Sequence, residues 1–256
     1  MTLSSIVLLF LTAVIGGALN SVAGGGSFFT FPALIFSGVP SVPANATSTL
    51  ALWPASLASA GAYRKELQNQ DRTLLILLCI TSLIGGVLGA ILLIKTPSQI
   101  FQTLLPYLLL FATLLFTFSP MITARLRVRK LEKAALTPGR LIWIGAIQFI
   151  ISVYGGYFGG GIGIMMLASL AIMGLEDMHV MNAIKNVLAS LINGIAIVTF
   201  IVYRIIYWPQ ALIMIVGSIL GGYGSAYYTR KIPSKYIRAF VIVAGFSMAV
   251  IFFFRS

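Results

Sequence analysis

The chain contains few of the residues that enzymes and metal sites use. Its 256 residues include one cysteine, one histidine and five acidic residues. A single cysteine excludes a disulfide within the chain, and one histidine with one cysteine cannot build a metal cluster of the usual ligand spacing. The sequence has no GxxxxGK[ST] phosphate-binding motif and no defensible Ser/His/acid arrangement. We therefore expect neither a cofactor nor a metal, and we expect that the chain is not an enzyme.

Charged residues are also scarce, at 9% of the chain, whereas hydrophobic residues make up 59%. The mean hydropathy is +1.02. A soluble domain cannot cover so much apolar surface, so the composition predicts an all-α polytopic membrane protein whose main surroundings are the lipid bilayer. The apolar runs are continuous and about twenty residues long, which excludes a β-barrel built from short alternating segments.

The net charge of +12 comes from 17 basic residues that lie mostly in short gaps between apolar runs. That distribution is typical of topology determinants rather than of a nucleic-acid surface, so we expect no nucleic-acid partner. The most basic gap divides the chain into a first transmembrane repeat (1–120), a basic cytoplasmic linker (121–140) and a second transmembrane repeat (141–256). With this linker inside, the loop charges place both termini outside.

A glycine triplet followed by a short apolar stretch occurs once in each half. The first copy is GGGSFFTFPALIF from Gly24 and the second is GGGIGIMMLASLA from Gly159. The short stretches 27–37 and 162–175 do not reach across a bilayer, so we interpret each as the return arm of a hairpin with its tip near mid-membrane. Corresponding loops face opposite sides. The sequence therefore predicts two inverted repeats, each a Gly-broken helical hairpin plus three transmembrane helices.

Glycines in membrane helices have a second interpretation, which is close helix packing. For the pairs and near-pairs at Gly16, Gly85 and Gly221 we favour packing, and for the two triplets we favour broken helices. The N-terminal apolar segment ends in small residues like a signal peptide, but it lacks a basic region and has a counterpart in the second half. We interpret it as part of the mature protein.

Two polar faces recur at helical spacing in the segments that follow the triplets. One segment begins at Asn45 and the other at Asn182, and we expect both asparagines to cap their helices. Neither face contains an acid, which disfavours a cation site. Helix N-termini attract anions, and Lys185 adds a positive charge. Lys185 either binds a small oxyanion or extends to the cytoplasmic surface. His179 is expected in a solvated loop, with a coupling role as the alternative.

These motifs, together with the basic linker, resemble the TauE/SafE family of sulfite and organosulfonate exporters along the whole chain. The resemblance implies a secondary transporter of the prokaryotic inner membrane that exports small sulfur-containing anions, such as sulfite, thiosulfate or organosulfonates, by alternating access. A passive anion channel and a membrane enzyme or assembly factor are the alternatives, and the residues indicate no oligomeric state. The candidate substrate-binding residues are Gly24, Gly25, Gly26, Ser27, Asn45, Thr47, Ser48, Thr49, Gly159, Gly160, Gly161, Asn182, Lys185 and Asn186.

Overall fold

The computed structural model describes residues 1–22, 25–62, 70–128, 137–175, 177–228 and 234–255. Within these ranges the chain is helical and contains no strand. The helices are α1 (Leu3–Val22), α2 (Ser27–Phe36), α3 (Ser41–Ala62), α4 (Arg72–Lys95), α5 (Ser98–Val128), α6 (Pro138–Tyr157), α7 (Ile162–Ile172), α8 (Met178–Val202), α9 (Trp208–Tyr228) and α10 (Ser234–Arg255). The expected all-α membrane fold is confirmed. Gly24 and residues 129–136 of the basic linker lie outside the described residues.

Five of the described helices are long and apolar enough to cross a membrane, namely α1, α4, α5, α6 and α8. Exposed apolar side chains cover their outer faces, as expected where lipid takes the place of water. The two short helices, α2 and α7, have 10 and 11 residues and extend only about 15 to 17 Å. Each follows a long helix directly, which is the arrangement that the hairpin prediction requires.

The α6–α7 hairpin returns to the end from which it starts. The guanidinium of Arg140, in the first turn of α6, donates a hydrogen bond of 2.8 Å to the carbonyl of Met173 at the C-terminus of α7. Both return arms end in a left-handed glycine, Gly38 with φ of 89° and Gly174 with φ of 91°. A left-handed residue at this place is a common helix stop, and glycine adopts it without steric cost.

The helices pack in matched pairs. α1 lies along α9 as α6 lies along α4, and α3 contacts α9 as α8 contacts α4. The same correspondence relates α1–α2 to α6–α7, α2–α3 to α7–α8, and α5–α7 to α10–α2. α3 also packs on its counterpart α8, and α5 packs on α10. Two five-helix repeats related by a two-fold operation produce such a pattern, although their opposite orientation in the membrane stays a prediction.

Glycines outside the triplets make the closest helix contacts, as the packing interpretation predicts. A Cβ on Gly221 would overlap the Val14 carbonyl oxygen across the α1–α9 contact. A Cβ on Gly89 would likewise overlap the Val153 carbonyl oxygen across the α4–α6 contact. Only glycine allows two backbones to approach this closely. The matched positions also set the register between the repeats: residue 14 corresponds to residue 153, and residue 221 to residue 89.

Candidate anion site

The second glycine triplet forms the turn between α6 and α7, and its conformation requires glycine. Gly159 has φ of 81° and Gly161 has φ of 77°, both in the left-handed region that other residues avoid. The hydroxyl of Tyr154, in the last turn of α6, donates a 2.7 Å hydrogen bond to the carbonyl of Gly160. The broken-helix prediction is thus confirmed for this triplet, and a side chain of the preceding helix holds the turn in place.

Lys185 lies on α8 against the first turn of α7. A Cβ placed on Gly163 would stand 3.4 Å from the Lys185 Cδ atom, so the lysine stem passes directly beside this turn. Its ammonium donates a 3.0 Å hydrogen bond to Oδ1 of Asn182, one turn earlier on α8. The N-terminal turn of a helix carries a partial positive charge and unpaired amides. The lysine and the helix terminus therefore combine into a positively charged region.

Lys185 also lies further from a helix end than the other basic residues of the described helices. It is the eighth residue of α8, whereas the other lysines and arginines of the described helices lie within five residues of a helix end. Its side chain is half-buried, and so are the other members of the predicted α8 face: Asn182, Asn186, Ala189 and Asn193. Within the described part of the chain, the partner of this ammonium is the neutral amide oxygen of Asn182, and a charged group so placed suits an incoming anion.

Asn45 brings the first repeat to the same region. Its Nδ2 donates a 3.0 Å hydrogen bond to the carbonyl of Tyr157, the last residue of α6 before the glycine turn. Asn45 is 4% exposed. One polar residue of α3 thus contacts the turn of the other repeat, as a site shared between the repeats requires.

The three hydroxyl-bearing candidates of α3 form hydrogen bonds with other groups of the protein. The hydroxyls of Ser48 and Thr30 are 2.6 Å apart. Thr47 accepts a 3.2 Å hydrogen bond from the Tyr207 amide, and Thr49 donates to the Asn45 carbonyl at 2.9 Å. Thr47 and Ser48 are buried, and Thr49 is half-buried. The Thr47 and Ser48 hydroxyls hold α3 against its neighbours, whereas the Thr49 hydrogen bond lies within α3. The polar faces of α3 and α8 therefore have different surroundings.

The first glycine break differs from the second. Gly26 has φ of −60°, an ordinary helical value, and its Cβ would overlap the carbonyl oxygen of Gly16 on α1. A Cβ on Gly25 would stand 2.8 Å from a methyl carbon of Val241 on α10. Ser27 is half-buried at the start of α2. Glycine is required here by close packing, and the structure does not bring these residues into contact with Lys185.

Two sequence-based expectations about helix starts are wrong. Asn45 and Asn182 are not caps, because each is the fifth residue of its helix. α8 is capped by Asp177, whose Oδ1 accepts a 2.8 Å hydrogen bond from the His179 amide. His179 consequently lies in the first turn of α8 rather than in a loop, although its side chain is exposed as expected. Both asparagines therefore contribute their side chains rather than the amides of a helix N-terminus.

Comparison with known sequences decides the family. The family described as "Sulfite exporter TauE/SafE" matches residues 9–252. The chain belongs to this family. It is 29% identical over 245 residues to a "Probable membrane transporter protein" of Haemophilus influenzae, covering 95% of this chain and 92% of the relative. It is 26% identical to the "Probable membrane transporter protein ORF9" of a Sinorhizobium species, covering 94% and 90% of the two chains. No solved structure matches.

Three residues that contact the candidate site residues were absent from the sequence-based prediction. The Tyr154 hydroxyl donates to the Gly160 carbonyl in the glycine turn, and Gly163 lies beside the Lys185 side chain. The Thr30 hydroxyl is hydrogen-bonded to the Ser48 hydroxyl. A tyrosine five residues before the glycine triplet of the turn was a usable signal, because a buried phenol needs an acceptor. Gly163 carried no signal of its own, since its contact with Lys185 depends on how α7 packs on α8.

Proposed function

We propose that the protein is a secondary transporter that carries small sulfur-containing anions, such as sulfite, thiosulfate or organosulfonates, between its two repeats by alternating access. The observation that carries this proposal is the position of Lys185 beside the first turn of α7. An anion placed there would meet the Lys185 ammonium, the positive end of α7 and the amide side chain of Asn182. The family description as a sulfite exporter supports the sulfur oxyanion class.

The acidic residues of the described chain do not compete for this lysine. Asp71 accepts a 3.0 Å hydrogen bond from the Leu74 amide at the start of α4, and Asp177 caps α8. The other acidic residues, Glu66, Glu132 and Glu176, fall outside the described residues. A lysine whose observed partner is a neutral amide oxygen retains most of its attraction for a soluble anion.

Alternating access needs contacts across which the two repeats can move. α3 and α8 cross where Trp53 Nε1 donates a 3.0 Å hydrogen bond to the Ser190 carbonyl. The Ser190 hydroxyl donates in turn to the Ser56 carbonyl at 3.2 Å. If the fifth residues of α3 and α8 are aligned, Trp53 and Ser190 occupy equivalent positions. The crossing therefore lies near the two-fold axis, where rotation of one repeat against the other moves the atoms least.

We further propose that the protein resides in a prokaryotic inner membrane with its basic linker in the cytoplasm and both termini outside. The charge distribution supports this orientation. The outward-facing turns would carry Lys95 and Arg204.

Flux measurements with the full chain in proteoliposomes test the transport proposal. We expect uptake of labelled sulfite to saturate and to be accelerated by unlabelled sulfite on the opposite side, because a carrier exchanges substrate through one site. Flux that is unsaturable and shows no counterflow would indicate a channel. An absence of flux with sulfite, thiosulfate and a panel of sulfonates would contradict both and favour a membrane enzyme or assembly factor.

A further inference from the structure

The candidate anion site contains a single fixed positive charge. Among the lysines and arginines of the described helices, Lys185 alone lies beyond the first or last five residues of its helix. Its ammonium donates a 3.0 Å hydrogen bond to Oδ1 of Asn182, which is a neutral acceptor. The polar residues further along the same face of α8, Asn186 and Asn193, are also neutral and half-buried. Lys185 therefore supplies the only formal charge of this face.

The first repeat adds no second charge at the equivalent position. If the fifth residues of α3 and α8 are aligned, Ser48 corresponds to Lys185. The Ser48 hydroxyl is 2.6 Å from the Thr30 hydroxyl, and the two residues are 2% and 0% exposed. The counterpart of the lysine is thus neutral, closed to solvent and already hydrogen-bonded. One ammonium serves both repeats.

The ionisable groups of the helices that pack on α8 do not change this charge. Within the described residues, α3 and α7 carry no ionisable side chain. The charged side chains of α4 and α6 lie at helix ends, and they are Asp71, Arg72, Lys95 and Arg140. The other ionisable groups of these two helices are the thiol of Cys79 and the phenols of Tyr154 and Tyr157. On α8 itself, Asp177 and His179 are exposed at the first turn, where water and salt screen their charges.

We propose that the site selects singly charged sulfur anions, namely hydrogen sulfite and monosulfonates, over doubly charged ones such as sulfate and thiosulfate. This inference rests on the proposed function, because it concerns the charge of the anion that Lys185 binds. One negative charge neutralises the ammonium, and the positive end of α7 adds only about half a charge. The second charge of a dianion would stay uncompensated in a half-buried site, which is unfavourable. Neutral amides such as Asn182 supply hydrogen bonds but no charge.

Binding of radiolabelled methanesulfonate to the purified full chain in detergent tests the charge preference. Unlabelled methanesulfonate and sulfate compete for the site at constant ionic strength. Both are tetrahedral about sulfur and differ by one methyl group in place of one oxygen, so the pair isolates charge from shape. We expect sulfate to bind about 10- to 100-fold more weakly. Sulfate that competes as well as methanesulfonate would overturn the proposal.

Sulfite allows the same comparison within one compound, because it exchanges a proton near neutral pH and is present there in both charge states. From about pH 6 to about pH 8, the ratio of the Kd for total sulfite to the Kd for methanesulfonate should rise about tenfold, since the singly charged form becomes scarce. Methanesulfonate does not titrate in this range, so a change in the protein's own charge affects both Kd values and cancels in the ratio. A constant ratio would contradict selection by charge.

A second positive charge on the same face should relax the preference. Asn186 lies one turn after Asn182 on α8, and long side chains on a helix extend toward its N-terminus. Asn186→Lys should therefore place an ammonium beside Asn182 and bring the Kd for sulfate to within a few-fold of the Kd for methanesulfonate. Asn186→Met, an unbranched side chain without charge, is the matched control and should keep the wild-type preference.

The outcomes distinguish this inference from the proposed function. An Asn186→Lys protein that binds methanesulfonate and still rejects sulfate would show that charge is not the cause of selection. Equal binding of sulfate and methanesulfonate by wild type would refute the charge preference and leave the anion site intact. If methanesulfonate, sulfite and sulfate all fail to bind wild type, the anion site itself is wrong.

Discussion

The two glycine breaks look alike in the sequence, but the structure predicts opposite responses to substitution. At Gly161 the backbone is left-handed, with φ of 77°, and a Cβ would meet Ala112 at an ordinary 3.4 Å. Gly161→Ala therefore adds backbone strain and little steric overlap. The left-handed conformation costs a residue with a Cβ about 1 to 2 kcal/mol, and less for asparagine, whose short polar side chain tolerates it.

At Gly26 the backbone is already helical, and the cost comes from overlap with the Gly16 carbonyl oxygen. Asparagine is larger than alanine and has no conformational advantage here. Gly26→Asn should consequently destabilise the protein at least as much as Gly26→Ala. At Gly161 the order is reversed, and Gly161→Asn should be the milder change.

Thermal unfolding in detergent measures both orders. A cost of about 1 to 2 kcal/mol lowers Tm by about 2 to 8 °C in a chain of this size. Gly139→Ala is the matched control, because no atom lies within 4 Å of its Cβ position and alanine favours the helix; its Tm should be unchanged or higher. A wild-type Tm for Gly161→Ala, or a larger loss for Gly161→Asn than for Gly161→Ala, would refute the account of this turn.

Three further substitutions test individual contacts. Thr30→Val removes the buried hydroxyl pair with Ser48 and should destabilise the protein by about 1 kcal/mol in thermal unfolding. Trp53→Phe removes the indole N–H that donates to the Ser190 carbonyl on α8. This change should lower the maximal transport rate, measured as flux at saturating substrate, more than it lowers the anion affinity. Arg140→Ala removes a charged hydrogen bond at the C-terminus of α7, so protease cleavage near that end should become faster, whereas wild-type cleavage rates would contradict this role.

Most of the fold could be predicted because apolar length decides it. The predicted arm 27–37 corresponds to the helix Ser27–Phe36, and the predicted arm 162–175 corresponds to the helix Ile162–Ile172. The predicted starts of α3 and α8, at Asn45 and Asn182, lie four residues after the observed starts. The residues before each asparagine are helical but do not belong to the apolar run from which the start was predicted. Asp177 caps α8 through its side chain, and a hydropathy pattern does not reveal a capping residue.

The site was only partly readable from the sequence. Lys185 is visible as a charge inside an apolar run, and Gly159 to Gly161 are visible as a triplet. The contact of Lys185 with Gly163 depends on the packing of two helices, and the different roles of Gly26 and Gly161 depend on backbone angles. A repeated motif therefore predicted two equivalent breaks, whereas the structure distinguishes a packed break from a left-handed one.

The affinity for sulfite of wild type, Lys185→Ala and Lys185→Arg tests the central claim most directly. Loss of one charged hydrogen bond to an anion costs about 1.5 to 3 kcal/mol, so Lys185→Ala should raise the Kd by about 10- to 100-fold. Lys185→Arg should retain part of the affinity, and Lys95→Ala, which removes a basic residue at the end of α4, should leave the Kd unchanged. An unaltered Kd in Lys185→Ala would contradict the anion site described for this protein.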